Sequence, residues 1–229
     1  MWLKFAILLL GAYLLGSIPA AYICVKLATG ADIRKIGTGN VGSSNVAQTT
    51  SKPLAVAVGL FDMGKGTLAV FIAYWLGMEA WQILAVGFFT IAGHNWSIFI
   101  GFRGGKGMIT TLGVILAISP LLALIILVVV YLPAIIKQMA LGVLACFVIL
   151  PVISWFAWSW FASSRFVFDD RMAVVVGLFA ISMMGAAKRL IGRRVEISRN
   201  VSTSELLLNR LLFDRDIRDR KTWVKQRSL

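Results

Sequence analysis

Two short segments of this chain carry residue types suited to holding an anion. The first runs from Asp32 to Asn45, with glycines at Gly37, Gly39 and Gly42 alternating with hydroxyl and amide side chains. Glycine permits positive φ and lets backbone N–H groups approach a ligand, while Thr38, Asn40, Ser43, Ser44 and Asn45 offer neutral hydrogen bonds. The second is Gly101-Phe-Arg-Gly-Gly-Lys-Gly107. Here flexible backbone around Gly104 and Gly105 carries Arg103 and Lys106 at the mouth of an expected helix, whose N-terminal dipole also favours anions. Together the two segments predict a phosphate site. For either loop alone, a plain turn whose Lys and Arg serve topology or attract anionic lipid is an equal reading.

Three other residues lie in apolar surroundings. Asp62 and Lys65 are three apart, hence on one helical face, and ionisable groups inside a membrane usually pair or line a polar cavity. A structural ion pair is the competing account. His94, the one histidine, sits in Gly93-His94-Asn95-Trp96, where a packing role competes with that of a base. Gly59 to Lys65 matches the start of a nucleotide P-loop, but Gly66 replaces the required Ser or Thr and no strand precedes it, so that reading is rejected. With one His and two distant cysteines, Cys24 and Cys146, no metal cluster or disulfide framework is expected.

The elements that must position these residues are membrane helices. Hydrophobic residues make up 59% of the 229 and charged residues 14%, and mean hydropathy is +0.85, which excludes a soluble or disordered domain. Apolar runs fall at 5–25, 53–76, 80–102, 107–136, 138–164 and 172–187, the first read as a retained span and not a cleaved signal. The segment 26–52 holds four Lys/Arg against Asp32 alone, and 188–229 holds twelve against five acids, so both belong on the cytoplasmic side. That parity requires an odd number of spans. The 30-residue run 107–136 is therefore expected to divide near Ser119-Pro120. The expectation is an all-α polytopic membrane protein of about seven transmembrane helices, N-terminus outside and C-terminus cytoplasmic. Arg103, Lys106 and Lys137 then lie inside, and Glu79 and the stretch from Arg165 to Arg171 outside, with Trp155, Trp158 and Trp160 as an aromatic belt. Residues 1–187 form the membrane domain. The basic tail 188–229 carries Leu206, Leu207, Leu208, Leu211, Leu212 and Phe213 in an amphipathic pattern that suits the membrane surface, with a solvated tail as the alternative. A net charge of +13 follows from the positive-inside bias and gives no reason to expect nucleic acid.

With these motifs in order, the chain resembles the bacterial acyl-phosphate-dependent glycerol-3-phosphate acyltransferases. The resemblance covers roughly 1–185 and rests on Leu15-Gly-Ser-Ile-Pro19, Asp32-Ile-Arg34, the glycine loop to Asn45, Asp62-Met-Gly-Lys-Gly66, Gly93-His94 and Gly101 to Gly107. It implies a seven-span bacterial inner-membrane enzyme of phospholipid synthesis, active at its cytoplasmic face and needing neither coenzyme A nor metal nor another cofactor. Acyl phosphate would donate to glycerol-3-phosphate, giving lysophosphatidic acid and inorganic phosphate. It implies Thr38, His94 and Lys106 as catalytic, and Arg34, Gly37, Gly39, Asn40, Gly42, Asn45, Arg103, Gly104 and Gly105 as substrate-binding, with Asp62 and Lys65 as further candidates.

The chain departs from the family pattern at several places. Thr38 replaces a serine and keeps its hydroxyl. Gln48 stands where the family has a phosphate-binding arginine. A histidine and an asparagine at the end of the last span align with Met183 or Met184 and with Ala186 or Ala187, and serines near the sixth span appear as Ala140 and Val143. Arg103 or Lys188 are the residues to replace lost positive charge. The alternative to an enzyme is a non-catalytic paralogue that binds an anionic lipid, an acyl phosphate or a partner enzyme.

Overall fold

The computed structural model describes residues 2–136, 138–156, 170–192, 194–219, 222 and 223. Lys137, Trp158, Trp160 and Arg165, used above to assign sides, lie outside them. Among the described residues the chain is helical: α1 (Trp2–Ser17), α2 (Ala20–Thr29), α3 (Ser43–Thr49), α4 (Lys52–Trp75), α5 (Ala80–Asn95), α6 (Met108–Ile118), α7 (Pro120–Tyr131), α8 (Met139–Phe156), α9 (Arg171–Leu190) and α10 (Thr203–Phe213). Short 3-10 turns occur at Ile33–Lys35, Ile98–Ile100 and Glu196–Ser198. The segment from Gly59 to Lys65 lies inside α4.

Among the described residues five stretches are long and apolar enough to cross a membrane: Trp2–Thr29, Lys52–Trp75, Ala80–Ile100, Met139–Phe156 and Arg171–Leu190. The shorter apolar helices α6 and α7 result from a division of 107–136 at Ser119, as the sequence predicts. Ser119 caps α7 by accepting from the Leu122 N–H, and Pro120 takes the first helical position, where its missing N–H costs nothing. At 11 and 12 residues, the halves are roughly 17 and 18 Å long, short of the ~30 Å hydrocarbon core.

The first apolar run is long enough to span, but it is built from two helices. Pro19 cannot continue α1, so the chain breaks at Ile18 and restarts as α2. The freed carbonyls find partners from other spans: Ser97 Oγ donates to Ser17 O at 2.5 Å and Lys65 Nζ to Ile18 O at 3.2 Å. A break within an apolar stretch persists when the freed carbonyls are re-satisfied in this way. The break thereby ties α1 to α4 and to the end of α5, where the candidate residues lie.

Packing relies on small residues, since lipid gives no hydrophobic drive between helices. A Cβ on Gly93 of α5 would stand 2.2 Å from Tyr13 O of α1, and one on Gly66 of α4 would stand 2.4 Å from Thr110 O of α6. These close approaches hold α1, α4, α5 and α6 together, with α9 joining through Leu178 and Ile181 in the main apolar core. Large apolar side chains such as Leu3, Leu27, Trp75 and Phe156 face outward, as lipid-facing residues do. A second apolar cluster, built from Val25, Ile33, Val41, Val46 and Val58, underlies the glycine loop 36–42 and fixes it to α2 and α4.

Candidate active site

Loop 36–42 is organised by Asn45. This fully buried residue donates from Nδ2 to the carbonyls of Ile33, Ile36 and Asn40 at 3.2, 3.1 and 3.1 Å, and its Oδ1 accepts from the Thr38 N–H at 2.9 Å. Its amide is committed to the loop. Gly37 turns at φ 57°, and a Cβ there would lie 2.2 Å from Asn45 Oδ1, so this position needs glycine twice over. Arg34 is likewise engaged, gripping Asp32 through Nη2 to Oδ2 at 2.7 Å and Nε to Oδ1 at 2.9 Å. Its Nη1 donates to Ile100 O at 3.1 Å, joining the first loop to the second. The hydrogen bonds from the Arg34 side chain hold the Asp32 carboxyl down at about 2.

The second loop leaves α5 at Asn95 and folds back over it, so that the Gly105 N–H donates to His94 O at 3.0 Å. A Cβ on Gly104 would meet His94 O at 2.0 Å, and one on Gly105 would meet His94 Nε2 at 2.2 Å. The two glycines thus allow the loop to lie on the histidine. Phe102 adopts φ 59°, unusual for a bulky side chain, and its N–H donates to Ser97 O at 2.7 Å. Beneath the loop, His94 Nδ1 stands 3.0 Å from Lys65 Nζ and 3.4 Å from Asp62 Oδ1, and Lys65 pairs with Asp62 at 2.8 Å. Sequence spacing brought Asp62 and Lys65 together, but gave no sign that His94 completes the cluster.

An open cavity of about 1680 Å³ runs from these loops into the helices. Its polar end is bordered by Arg34, Thr38, Asn40, His94, Arg103 and Lys106, and the glycines Gly39, Gly42 and Gly104 border it too. Gly37, Asn45, Lys65 and Gly105 stand behind this lining, and Asp62 reaches it. Further in, the wall is apolar, formed by Ile115, Ile126, Val130, Val143 and Leu150 of α6, α7 and α8. Gln48 and Val143, two of the departures from the family pattern, border the same space.

Sequence reasoning singled out Lys188 but missed Arg189, at the end of α9, and Asp214, after α10. Lys106 Nζ donates to Asp214 Oδ2 at 2.5 Å and to Asp214 O at 3.3 Å. The Arg189 guanidinium donates to the carbonyls of Ala140 and Leu211, with Nε 3.9 Å from Asp214 Oδ1. Lys188 Nζ donates to Asn95 O and stands 5.0 Å from the centre of the Trp96 ring. All four line the cavity. No local pattern marks Asp214 among the tail's other charges; only tertiary packing brings it to Lys106.

Comparison with known proteins agrees with this architecture. The family model described as glycerol-3-phosphate acyltransferase matches residues 6–196. Glycerol-3-phosphate acyltransferase 4 of Dehalococcoides mccartyi (strain CBDB1) is 40% identical over 224 residues, covering 98% of this chain and 94% of that relative. Glycerol-3-phosphate acyltransferase 5 of another strain of that species (ATCC BAA-2266) is 39% identical over 228 residues, covering 100% and 96%. Among solved structures, PlsY (YgiH), an integral membrane glycerol 3-phosphate acyltransferase, superposes in its glycerol 3-phosphate form with TM-score 0.72 at 28% identity, covering 97% of this chain and 98% of that one. Its lysophosphatidic acid form gives TM-score 0.70 at 26% identity, covering 97% and 99%.

Proposed function

The chain belongs to the glycerol-3-phosphate acyltransferase family, integral membrane enzymes that make lysophosphatidic acid, and from that premise we propose that its acyl donor is an acyl phosphate. The observation that carries the reading is the continuity of one cavity, with two glycine loops and Lys106 at its polar end and an apolar arm between α6, α7 and α8. About 1680 Å³ exceeds the roughly 300–1,000 Å³ of a typical small-molecule site, in keeping with a polar acceptor and a long acyl chain held together.

In the reaction a free hydroxyl of glycerol-3-phosphate attacks the carbonyl carbon of the mixed anhydride. The bond from that carbon to the phosphate oxygen breaks, and phosphate leaves with the electron pair. The hydroxyl proton passes to a phosphate oxygen, so no strong protein base is required. The chain's own residues then orient and neutralise: Lys106 and Arg103 meet phosphate charge, and Thr38, Asn40 and the N–H groups of the glycine loop offer hydrogen bonds. His94, Asn45 and Arg34 act one step back, by holding the two loops in register. We place the loops and the basic tail on the cytoplasmic side of a bacterial inner membrane, the N-terminus outside, on the strength of the Lys and Arg bias. Residues 1–187 serve as the catalytic membrane unit and 188–229 as a basic tail, of which Arg210, Phe213, Asp214 and Asp216 border the cavity.

The test is phosphate release and lysophosphatidic acid formation by detergent-purified protein, given glycerol-3-phosphate with palmitoyl phosphate or with palmitoyl coenzyme A. Turnover with the acyl phosphate alone is expected. Turnover with the coenzyme A ester alone would overturn the donor assignment, and none with either, from folded protein, would favour a binding paralogue.

A further inference from the structure

The tail borders the cavity and places a carboxylate on the lysine assigned to phosphate. Asp214 ends α10 in the left-handed conformation, φ 58° and ψ 36°, a turn that Asp tolerates better than most residues. From there it meets Lys106 through both its carboxylate and its backbone carbonyl, engaging two of the three N–H donors of the ammonium. Arg189 is more deeply set, its side chain 4% exposed, and Asp214 is the carboxylate nearest to it among the described residues, at 3.9 Å. Lys188, the residue before Arg189 in the last turn of α9, meets no carboxylate within 4 Å among the described residues; its ammonium rests on the carbonyl of Asn95, from which the Lys106 loop departs. The other cavity acids are occupied, Asp62 by Lys65 and Asp216 by Arg210 at 2.7 Å.

We propose that Lys106, Lys188 and Arg189 form one phosphate site and that the Asp214 carboxylate holds the place a substrate phosphate takes. A single carboxylate balances one of three cations. A phosphate dianion carries twice the charge and three oxygens, and answers all three cations better, but it does not share Lys106 with a carboxylate because like charges repel at that distance. Binding and the Asp214 contact therefore compete. The pair is accessible enough to exchange, with Lys106 34% and Asp214 19% exposed at the side chain. Asp214 thus sets the affinity of the site, since a ligand that must displace an internal occupant binds with its intrinsic affinity multiplied by the fraction of chain in which that occupant is out of the site.

The inference uses the phosphate chemistry proposed above but is tested apart from it. Asp214→Asn keeps the size and removes the charge. Its KM for glycerol-3-phosphate, and the inhibition constant of inorganic phosphate, are expected to fall ~3- to 10-fold, with kcat not reduced. Lys188→Gln leaves the Lys106–Asp214 pair in place and is expected to raise both constants. In parallel, inorganic phosphate should raise the unfolding temperature of Asp214→Asn at lower concentration than that of the wild type, a readout that needs no turnover. Unchanged or higher constants in Asp214→Asn would overturn the competition, and a fall in kcat alone would make Asp214 a positioning residue for Lys106. Unchanged constants in Lys188→Gln would remove Lys188 from the site. Absence of turnover in the wild type, with phosphate binding intact and responsive to Asp214→Asn, would sink the catalytic reading and leave this one standing.

Discussion

The Asp62–Lys65 pair is 2.8 Å long, its side chains are 4% and 1% exposed, and His94 closes it on the loop side. The Lys106–Asp214 pair is 2.5 Å long, but its side chains are 19% and 34% exposed on the Asp and Lys sides and its partners come from a loop and from the tail. Both join opposite charges at one cavity, yet they suit different work. The first is sealed between α4 and α5, where exchanging a partner would strand a charge away from water, so it acts as scaffold. The second is open to solvent, and a new anion can replace the old one. On the proposed reading, charge that must stay is buried with its partner, and charge that must bind a substrate is left reachable.

That contrast breaks most visibly at Asp62. Replacing it with Asn leaves Lys65 buried without its counter-ion, and a loss of about 3–5 kcal/mol is expected, seen as failure to accumulate or a large fall in unfolding temperature in detergent. The double variant Asp62→Leu, Lys65→Met removes both charges and should recover much of that loss. If the single change is tolerated as well as the double, the buried cluster is not scaffold. Next in size is Gly105→Ala. A Cβ 2.2 Å from His94 Nε2 and 2.5 Å from Val41 O must push the loop away from the histidine. A displacement of about 1 Å at Lys106 is expected to lower kcat/KM ~10²-fold while the helices remain folded by circular dichroism.

Smaller again is Asn45→Ala, which removes a side chain bonded to Ile36, Thr38 and Asn40 of loop 36–42. Leaving buried carbonyls without donors costs about 1–3 kcal/mol, and the loosened loop should raise KM for glycerol-3-phosphate more than it lowers kcat. The mildest effect concerns the tail. Burial acts to raise the Asp216 carboxyl, but hydrogen bonds from Arg210, the Val195 N–H and Ser198 outweigh it and hold it below the usual carboxylate value. Its contribution to tail docking is therefore complete above the unfolded carboxylate value, near 4, and is lost as pH falls through the lower folded one. Hydrogen exchange across 194–219 should quicken on acidification in the wild type and be fast already in Asp216→Asn. Equal exchange in both at neutral pH would remove Asp216 as the clasp.

Much of this was legible in the residues. The apolar runs gave the helices, Ser119-Pro120 marked the division of 107–136, and glycine spacing identified both loops. The break at Pro19 was not read, because a proline in a 21-residue apolar run is also compatible with a kinked span; what decides it is that Ser97 and Lys65 satisfy the freed carbonyls. Asn45 looked like a ligand for substrate from its loop composition, whereas its four hydrogen bonds spend it on the loop itself. Spacing along one helix joined Asp62 to Lys65, but His94 and Asp214 come to their partners across 29 and 108 residues of chain. Such contacts follow from packing and leave no periodic trace.

The measurement closest to the central claim is steady-state turnover of Lys106→Ala with palmitoyl phosphate and glycerol-3-phosphate, beside Lys106→Arg and the wild type. Removing the reachable cation while leaving the buried cluster intact should lower kcat/KM ~10²- to 10³-fold, with the unfolding temperature nearly unchanged and partial recovery in the arginine variant. Full turnover by Lys106→Ala would contradict the claim that the exchangeable cluster carries the phosphate chemistry.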